Sequence, residues 1–479
     1  MTLLNKKSIL TVAITAALTL AGTASATNGY FAHAYSQSEA GLAGAGVAKA
    51  KNVDALAGST NPANMVFAGD RMDIGLALFS PQREYEVTGD PALPNGFAPI
   101  GVIPSCNAPG VDPCQLPFSI GPGKIQSENT LFPVPSFGWN KMLSDRSSFG
   151  VMVYGNGGMN TEYQGGSANV FNPGTGTIVT APGTFGNGTL GIDLMQLFVA
   201  PTYSMKVGEN SSIGASIIGV FQRFEAKGLG SFAGVTNSPN NLTNNGYSTS
   251  YGAGFKVGFN SAISDSIRFG ASYQSKMRMG EFDEYKGLFA ENGDFDIPET
   301  WTFGISADVG EKGVFVADIQ RINYSDIKSI GNDITPLTQG QCLDALNATL
   351  FNGGNQAPAQ GPGCGGGSNG FGFGYNDMTI VKTGYEWSQS DDLILRVGYS
   401  ITDQPIESSD VIFNILAPAV IKSHLTAGFT KQLANGNEMT LSFMYGAGEK
   451  VTGPNPFDPG QTISIDMNQY QVGFTYTRK

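Results

Sequence analysis

Few side chains of this 479-residue chain could do chemistry: two histidines, four cysteines and one run of acids. His424 follows Ser423, but neighbouring residues of a strand point to opposite faces. The two cannot serve each other as base and nucleophile, and a partner would have to come from another strand. His33 sits apart, in a Gly/Ala-rich N-terminal segment. Glu281, Asp283, Glu284, Glu291, Asp294 and Asp296 offer oxygen ligands, yet the spacing of a calcium loop is absent, so a solvated loop is the better reading. The cysteines fall into two local pairs: Cys106 and Cys114 lie in one Pro/Gly-rich segment, and Cys342 and Cys364 bracket another. Neither pair has CxxC spacing and no histidine is near. Two loop-stapling disulfides, Cys106–Cys114 and Cys342–Cys364, are therefore expected rather than a metal site, although two other pairings also satisfy the count. No catalytic residue, metal or cofactor is expected.

The elements that must position these residues follow from export. Lys6 and Lys7 form a basic start, Ile9 to Leu20 an apolar stretch, and Ala24-Ser25-Ala26 a small-residue cleavage site. Residues 1–26 thus read as a signal peptide, with the mature chain expected to start at Thr27. The apolar stretch falls short of the ~20 residues a spanning helix needs, and no later run is long enough either. Glycine is abundant, at 65 residues, and charged residues make up only 14%, which argues against disorder. Removing Lys6 and Lys7 takes the net charge from −12 to −14, which argues against nucleic acid as a partner.

Beyond the signal, the dominant pattern is alternation with a period of two. Tyr470, Val472, Phe474 and Tyr476 alternate with Gln471, Gly473, Thr475 and Thr477; Tyr251, Ala253, Phe255, Val257 and Phe259 alternate with Gly252, Gly254, Lys256 and Gly258. An apolar face of this kind packs on a second sheet in a sandwich and faces lipid in a membrane barrel, and alternation alone does not separate the two. Connection lengths help. Tight polar turns such as Ser144-Asp145-Arg146, Glu209-Asn210-Ser211 and Asn435-Gly436-Asn437 alternate with long connections at 89–128, 164–190, 229–247, 331–376 and 452–465. That rhythm is the pattern of an outer-membrane barrel. About fourteen strands are expected, near 71–88, 129–143, 148–163, 191–207, 212–228, 248–263, 266–288, 297–309, 314–330, 377–388, 392–404, 419–432, 438–451 and 466–477. The fold class is therefore an all-β membrane protein, an antiparallel transmembrane β-barrel occupying 71–479. Residues 27–70 do not alternate. Their apolar content (Leu42, Val47, Val53, Leu56, Met65, Val66, Phe67) favours a helical plug in the lumen over a free tail.

Three stretches, in this order, have a wider echo. They are Asn28-Gly29-Tyr30-Phe31 with the 41–46 Gly/Ala run and Asn61-Pro62-Ala63; the third strand, Phe149 to Tyr163, with Gly155, Gly157 and Gly158; and Asn414-Ile415-Leu416-Ala417-Pro418 ahead of His424. Together they make the chain resemble the long-chain fatty acid transporter family of bacterial outer membranes (FadL-like), which includes aromatic-hydrocarbon importers. The resemblance covers most of the mature chain. It implies an N-terminal hatch that includes Asn28, Tyr30, Phe31, Asn61, Pro62 and Ala63, capture of an apolar molecule in an outer groove, and lateral exit through a third strand kinked at Gly155, Gly157 and Gly158. One departure is the C-terminus, where Tyr476 is followed by Thr477-Arg478-Lys479 rather than ending the chain.

Burial gains about 0.8 kcal/mol per methylene, so a greasy groove needs no specific polar contact. Candidate groove residues sit in loops of unusual apolar content: Phe97 and Ile100 with Val102 and Ile103; Leu343, Leu346, Leu350 and Phe351 at helical spacing; Ile412, Phe413, Ile415 and Leu416. They either form the groove or pack loops on one another, and both could hold. The expected function is uptake of hydrophobic compounds, fatty acids first and alkanes or aromatic hydrocarbons second, with a general diffusion porin for small polar solutes as the alternative. The expected partners are those hydrophobic small molecules, outer-membrane lipid and lipopolysaccharide (the latter bridged by divalent ions at the acidic loop), and the barrel-assembly machinery during biogenesis. The chain is expected to act as a monomer.

Overall fold

The computed structural model describes residues 28–92, 94–96, 118–172, 175–342, 344–345 and 359–479. Fourteen long strands form one closed antiparallel barrel: β1 (Arg71–Thr88), β2 (Phe132–Ser144), β3 (Ser147–Tyr163), β4 (Leu190–Val207), β5 (Ser211–Lys227), β6 (Ser248–Ala262), β7 (Ile267–Gln274), β8 (Thr300–Val309), β9 (Gly313–Ile322), β10 (Met378–Ser390), β11 (Leu393–Thr402), β12 (Ile421–Gln432), β13 (Glu438–Gly448) and β14 (Asp458–Arg478). Each strand pairs with its neighbours in this order. β1 also pairs with β14, from Met72 opposite Arg478 to Thr88 opposite Thr462, which closes the ring. Closure leaves no unpaired sheet edge, the condition for strands to lie in lipid. Short strands at Gly123–Gln126, Arg278–Met279 and Val451–Asn455 raise the wall beyond β2, β7 and β13.

The alternation sorts the two faces. Ile74, Leu76 and Leu78 on β1 and Tyr470, Val472 and Phe474 on β14 are exposed, while Asp73, Phe79, Gln471 and Thr475 are buried. The outside is apolar and the inside polar or small, the reverse of a soluble protein, so the exposed face is the lipid face. No helix of the described residues is long and apolar enough to cross a membrane; the strands do so. Turns of two to five residues join the strands at one end, and long connections meet at the other. Three strands at Phe118–Ile120, Ser167–Asn172 and Thr177–Pro182 make a separate small sheet among those connections.

Three expected extents change. The strand expected over 266–288 leaves the ladder after Gln274, because Phe282, Tyr285 and Phe289 turn inward to pack on Phe224. The one expected to 330 ends at Ile322 and continues as helical turns at Tyr324–Asp326 and Lys328–Gly331. The long connection expected at 452–465 is instead a hairpin, with Val451–Asn455 folding back on the start of β14.

Residues 28–70 lie inside the barrel. They hold short helical turns at Gln37–Ala40, Ala57–Ser59 and Pro62–Phe67. Asn61 caps the last of these, its Oδ1 accepting from Ala63 N at 3.0 Å with Pro62 in the first turn. The carbonyl of Ala63 accepts from Ser204 and Ser212 of the wall. A Cβ on Gly214 would stand 2.3 Å from the Pro62 carbonyl carbon, so the wall needs glycine where the Asn-Pro-Ala turn rests. Further up, Asp318 of β9 accepts from Gly46 N (2.8 Å) and Val47 N (3.0 Å). Lys49 and Arg396 share the buried carboxylate of Glu386, at 3.2 and 2.7 Å. At the seam, one Arg71 nitrogen reaches Asp73 of β1, Glu438 of β13 and Thr477 of β14.

Candidate functional site

The long connections fold inward over the lumen around an apolar pocket. Its wall is largely phenylalanine. Phe413 stacks on Phe371, with ring centroids 5.1 Å apart and planes at 14°, and Phe232 meets Phe413 edge-on at 5.2 Å. Ile192 of β4, Leu242 and Leu416 complete the lining used below. The bonded pair Cys342–Cys364 positions part of this wall. Beside it, Gly365 N donates to Val235 O at 3.1 Å, tying the segment that leads to Phe371 onto the connection that carries Phe232.

Leu416 also lines a second, inner chamber. This one lies between the first residues of the N-terminal segment, Gly29 and Tyr30, and the wall strands β1, β3 and β14, through Phe79, Arg83, Met159 and Met467. Thr161 of β3 holds the intervening segment in place by donating to Leu416 O at 2.7 Å.

The third strand is irregular where it borders this chamber. Its ladder to β4 shifts register between Gly155 and Gly157, leaving Asn156 as the extra residue of a bulge. On the other side its ladder to β2 ends at Val153 opposite Phe137, although β3 runs on to Tyr163. Pro133 and Pro135 remove two N–H donors from this part of β2, both on the same edge of the strand. The hatch takes up what the bulge releases: Ala32 N donates to Asn156 O at 2.7 Å, and Gly158 N donates to Tyr30 O at 2.9 Å. A Cβ at Gly157 would stand 1.9 Å from Tyr30 O, so only glycine lets the hatch approach this closely.

Of the groove residues expected from sequence, Phe413 and Leu416 line the outer chamber, whereas Ile412 and Ile415 are fully buried beside it. Phe97, Ile100, Val102, Ile103, Leu343, Leu346, Leu350 and Phe351 lie outside the described residues, as do Cys106, Cys114 and the signal segment. Sequence reasoning missed Phe232, Phe289 and Phe371. The available signal was Phe371-Gly372-Phe373-Gly374 inside a connection that would otherwise be polar, and the over-long strand at 266–288 hid Phe289.

Several of the acids at 281–296 are engaged within the protein. Lys286 pairs with Asp283, Lys328 with Glu291, and Asp296 accepts from Met279 N. Burial, reinforced by Asp296 and Glu291, pushes the Asp294 carboxyl up to about 6. His424 does find a serine on another strand, Ser400, with Oγ 3.1 Å from Nδ1, and its Nε2 lies 3.1 Å from Gln469. The ring is buried under His33 of the N-terminal segment at 4.1 Å and lines neither chamber.

No curated protein matches the chain. Solved structures do. The Pseudomonas putida toluene transporter TodX aligns with a TM-score of 0.58 at 17% identity, over 93% of this chain and 99% of that one. A Pseudomonas aeruginosa FadL homologue aligns at 0.61 and 14%, over 94% and 99%. The Ralstonia pickettii toluene transporter TbuX gives 0.51 and 14%, over 93% and 98%. At these identities the structures show a shared fold. The family model described as outer membrane protein transport protein (OMPP1/FadL/TodX) matches residues 17–476, so the chain belongs to that family of hydrophobic-compound transporters of the bacterial outer membrane.

Proposed function

We propose that this protein takes up long-chain fatty acids, and aromatic hydrocarbons as a second class, and releases them sideways into the membrane. The observation that carries the reading is the placement of two mostly apolar pockets on either side of Leu416. The outer chamber shares Leu416 with the inner one, and the inner one abuts the stretch of β3 that has no ladder to β2. Exit at that point keeps an apolar chain in an apolar medium, so the gain of burial is not surrendered to water. The phenyl rings around the outer chamber suit the aromatic class as well. A lumen filled by the hatch argues against a diffusion porin. In this reading residues 1–26 are removed on export, 27–70 act as the hatch and 71–479 as the barrel. The protein works as a monomer, is inserted by the barrel-assembly machinery, and contacts lipid and lipopolysaccharide.

Cells lacking other such transporters, with and without this chain, would be given labelled oleate and toluene, and proteoliposomes would be swollen with sucrose. Uptake of the apolar compounds without sucrose swelling is expected; the reverse would make the protein a porin. The exit is tested by Gly155→Val. A Cβ there meets only ordinary contacts, Val134 at 3.6 Å and Gln196 O at 3.9 Å, and a β-branched residue favours a regular strand. Uptake should fall several-fold with binding retained. Normal uptake that tracks ion conductance would place the route down the lumen.

A further inference from the structure

The outward face of the barrel changes character at the top of β3, β4 and β5. On β5 the outward positions from Ile213 to Phe221 are apolar or glycine, with Ile213 and Ile217 exposed. That is about the length a tilted strand needs to cross hydrocarbon. Directly beyond, on the same face, come Arg223, Glu225 and Lys227. Asp193 of β4 lies opposite Glu225, and Asn160 of β3 lies opposite Asp193. The row Asn160–Asp193–Glu225 thus crosses three strands at the level of the outer-leaflet head groups. These residues line one polar pocket together with Glu162, Lys227 and Tyr247. Two of its oxygens lack a donor. Asn160 is 7% exposed and its Oδ1 has no partner; Asp193 Oδ1 has none either. Asp193 Oδ2 accepts from Arg223 at 3.3 Å and from the Tyr247 hydroxyl at 2.9 Å, and the guanidinium carbon lies 4.0 Å from the centre of the Tyr247 ring. Arg223 Nε is unpartnered too. Turning Asp193 further onto Arg223 would pair those two atoms and still leave Asn160 Oδ1 alone.

A buried acceptor without a donor is costly. Around this one three acids, Glu162, Asp193 and Glu225, outnumber the two bases Arg223 and Lys227, so a cation is what completes the pocket. Amide and carboxylate oxygens are the donor set that calcium and magnesium take. Among the described residues no three acidic, histidine or cysteine side chains gather closely enough to enclose a metal by themselves. The protein therefore supplies part of a coordination shell and leaves positions open. We propose that this rim pocket seats a divalent cation on Asn160 Oδ1 and Asp193 Oδ1, and that the open positions take a phosphate of the outer-leaflet lipopolysaccharide. Glu162 and Glu225 add charge for the cation, and Lys227 faces the phosphate. This deepens the lipopolysaccharide contact proposed above and moves the ion bridge from the 281–296 acids to the barrel wall. It does not depend on which compound is transported.

Purified full-length protein, stripped of divalent ions in detergent, would be dialysed against radiolabelled calcium. The micelles would carry no lipid, lipid A or dephosphorylated lipid A, each with a protein-free blank. The wild type alone should bind calcium saturably, with a dissociation constant of about 0.1–1 mM, the range of weakly enclosed extracellular sites. Binding should tighten several-fold with lipid A and not with its dephosphorylated form. Asn160→Ala should weaken it roughly ten-fold or more, and Asn160→Asp, which keeps the oxygen and adds a charge, should bind at least as tightly as the wild type. Glu291→Gln, in the acidic connection where Lys328 already pairs with the carboxylate, should change nothing. No saturable binding by the wild type would overturn the proposal and mean that the Asn160 amide turns its NH2 toward Asp193. Binding that survives Asn160→Ala, or that ignores the lipid A phosphates, would overturn it equally. Heat-modifiable migration on gels shows whether a variant has folded; where Asn160→Ala has not, the wild type and Asn160→Asp decide. The uptake reading stands under every one of these outcomes, because no transported compound takes part.

Discussion

The hatch is fastened in two different ways along its length. From Gln37 to Asp70 apolar contacts such as Leu42 on Val314 and Val316 are joined by a set of buried polar ones: Asp318 on two backbone amides, Glu386 between Lys49 and Arg396, Asp73 on Ala55 N, Ser442 on Gln37. From Asn28 to Tyr35 they are mostly aromatic and backbone. Tyr30 packs against Phe31, Phe295 and Tyr324, and the chain borrows hydrogen bonds from the β3 bulge. A buried ion pair cannot be exchanged for an apolar ligand, whereas a ring contact can. If the segment works as proposed, the lower part should act as a stopper and the tip as the part a greasy molecule replaces.

The largest expected effect tests the stopper. Deleting residues 28–70 should raise single-channel conductance in planar bilayers several-fold. Glu386→Ala should act in the same direction more weakly, because it leaves Lys49 and Arg396 buried without a counter-charge, at a cost of about 3–5 kcal/mol. Unchanged conductance in both would erase the distinction between stopper and tip. Tyr324→Phe should do the opposite. Its hydroxyl accepts from Tyr30 N at 3.2 Å and donates to Asn28 O, so its loss costs about 1–2 kcal/mol at the tip alone. Hydrogen exchange at 28–35 should quicken while conductance stays low; a conductance rise would show that the tip also seals the lumen. The smallest effect concerns the connection that presses on the tip through Phe295. The Asp294 carboxyl is raised to about 6 in the fold by burial, against ~3.9 unfolded. A raised carboxyl stabilises below its unfolded value, and that stability is lost as pH rises through the folded one. Protection of residues 289–296 should therefore decline between pH 4 and 6, and Asp294→Asn should flatten the decline. An identical profile in the variant would mean that another group sets it.

The barrel was legible in the sequence because its physics is repetitive: lipid demands an apolar residue at every second position, and fourteen strands repeat the demand. Strand ends at the short turns came out close for the same reason. The outer cap was not legible. Phe282, Phe289 and Phe371 are buried by partners far away in sequence, and no period marks them. The glycines of β3 were visible, but the two prolines of β2 opposite them were passed over, although a Pro-x-Pro in a strand marks a missing ladder.

The Arg71 contacts at the seam bear on biogenesis. They join residues up to 406 positions apart, and Gln37 reaches Ser442 across 405. Contacts of that separation are the last a growing chain can make. The hatch emerges first yet cannot be locked until β13 and β14 exist, so it spends nearly the whole of synthesis and export with its glycine-rich surface uncovered. The last strand meeting the first, the arginine finding its acid on β13 and the enclosure of residues 28–70 all wait on the C-terminal strands. A variant lacking that arginine would be expected to stall there, as a nearly complete sheet whose two edges have not met.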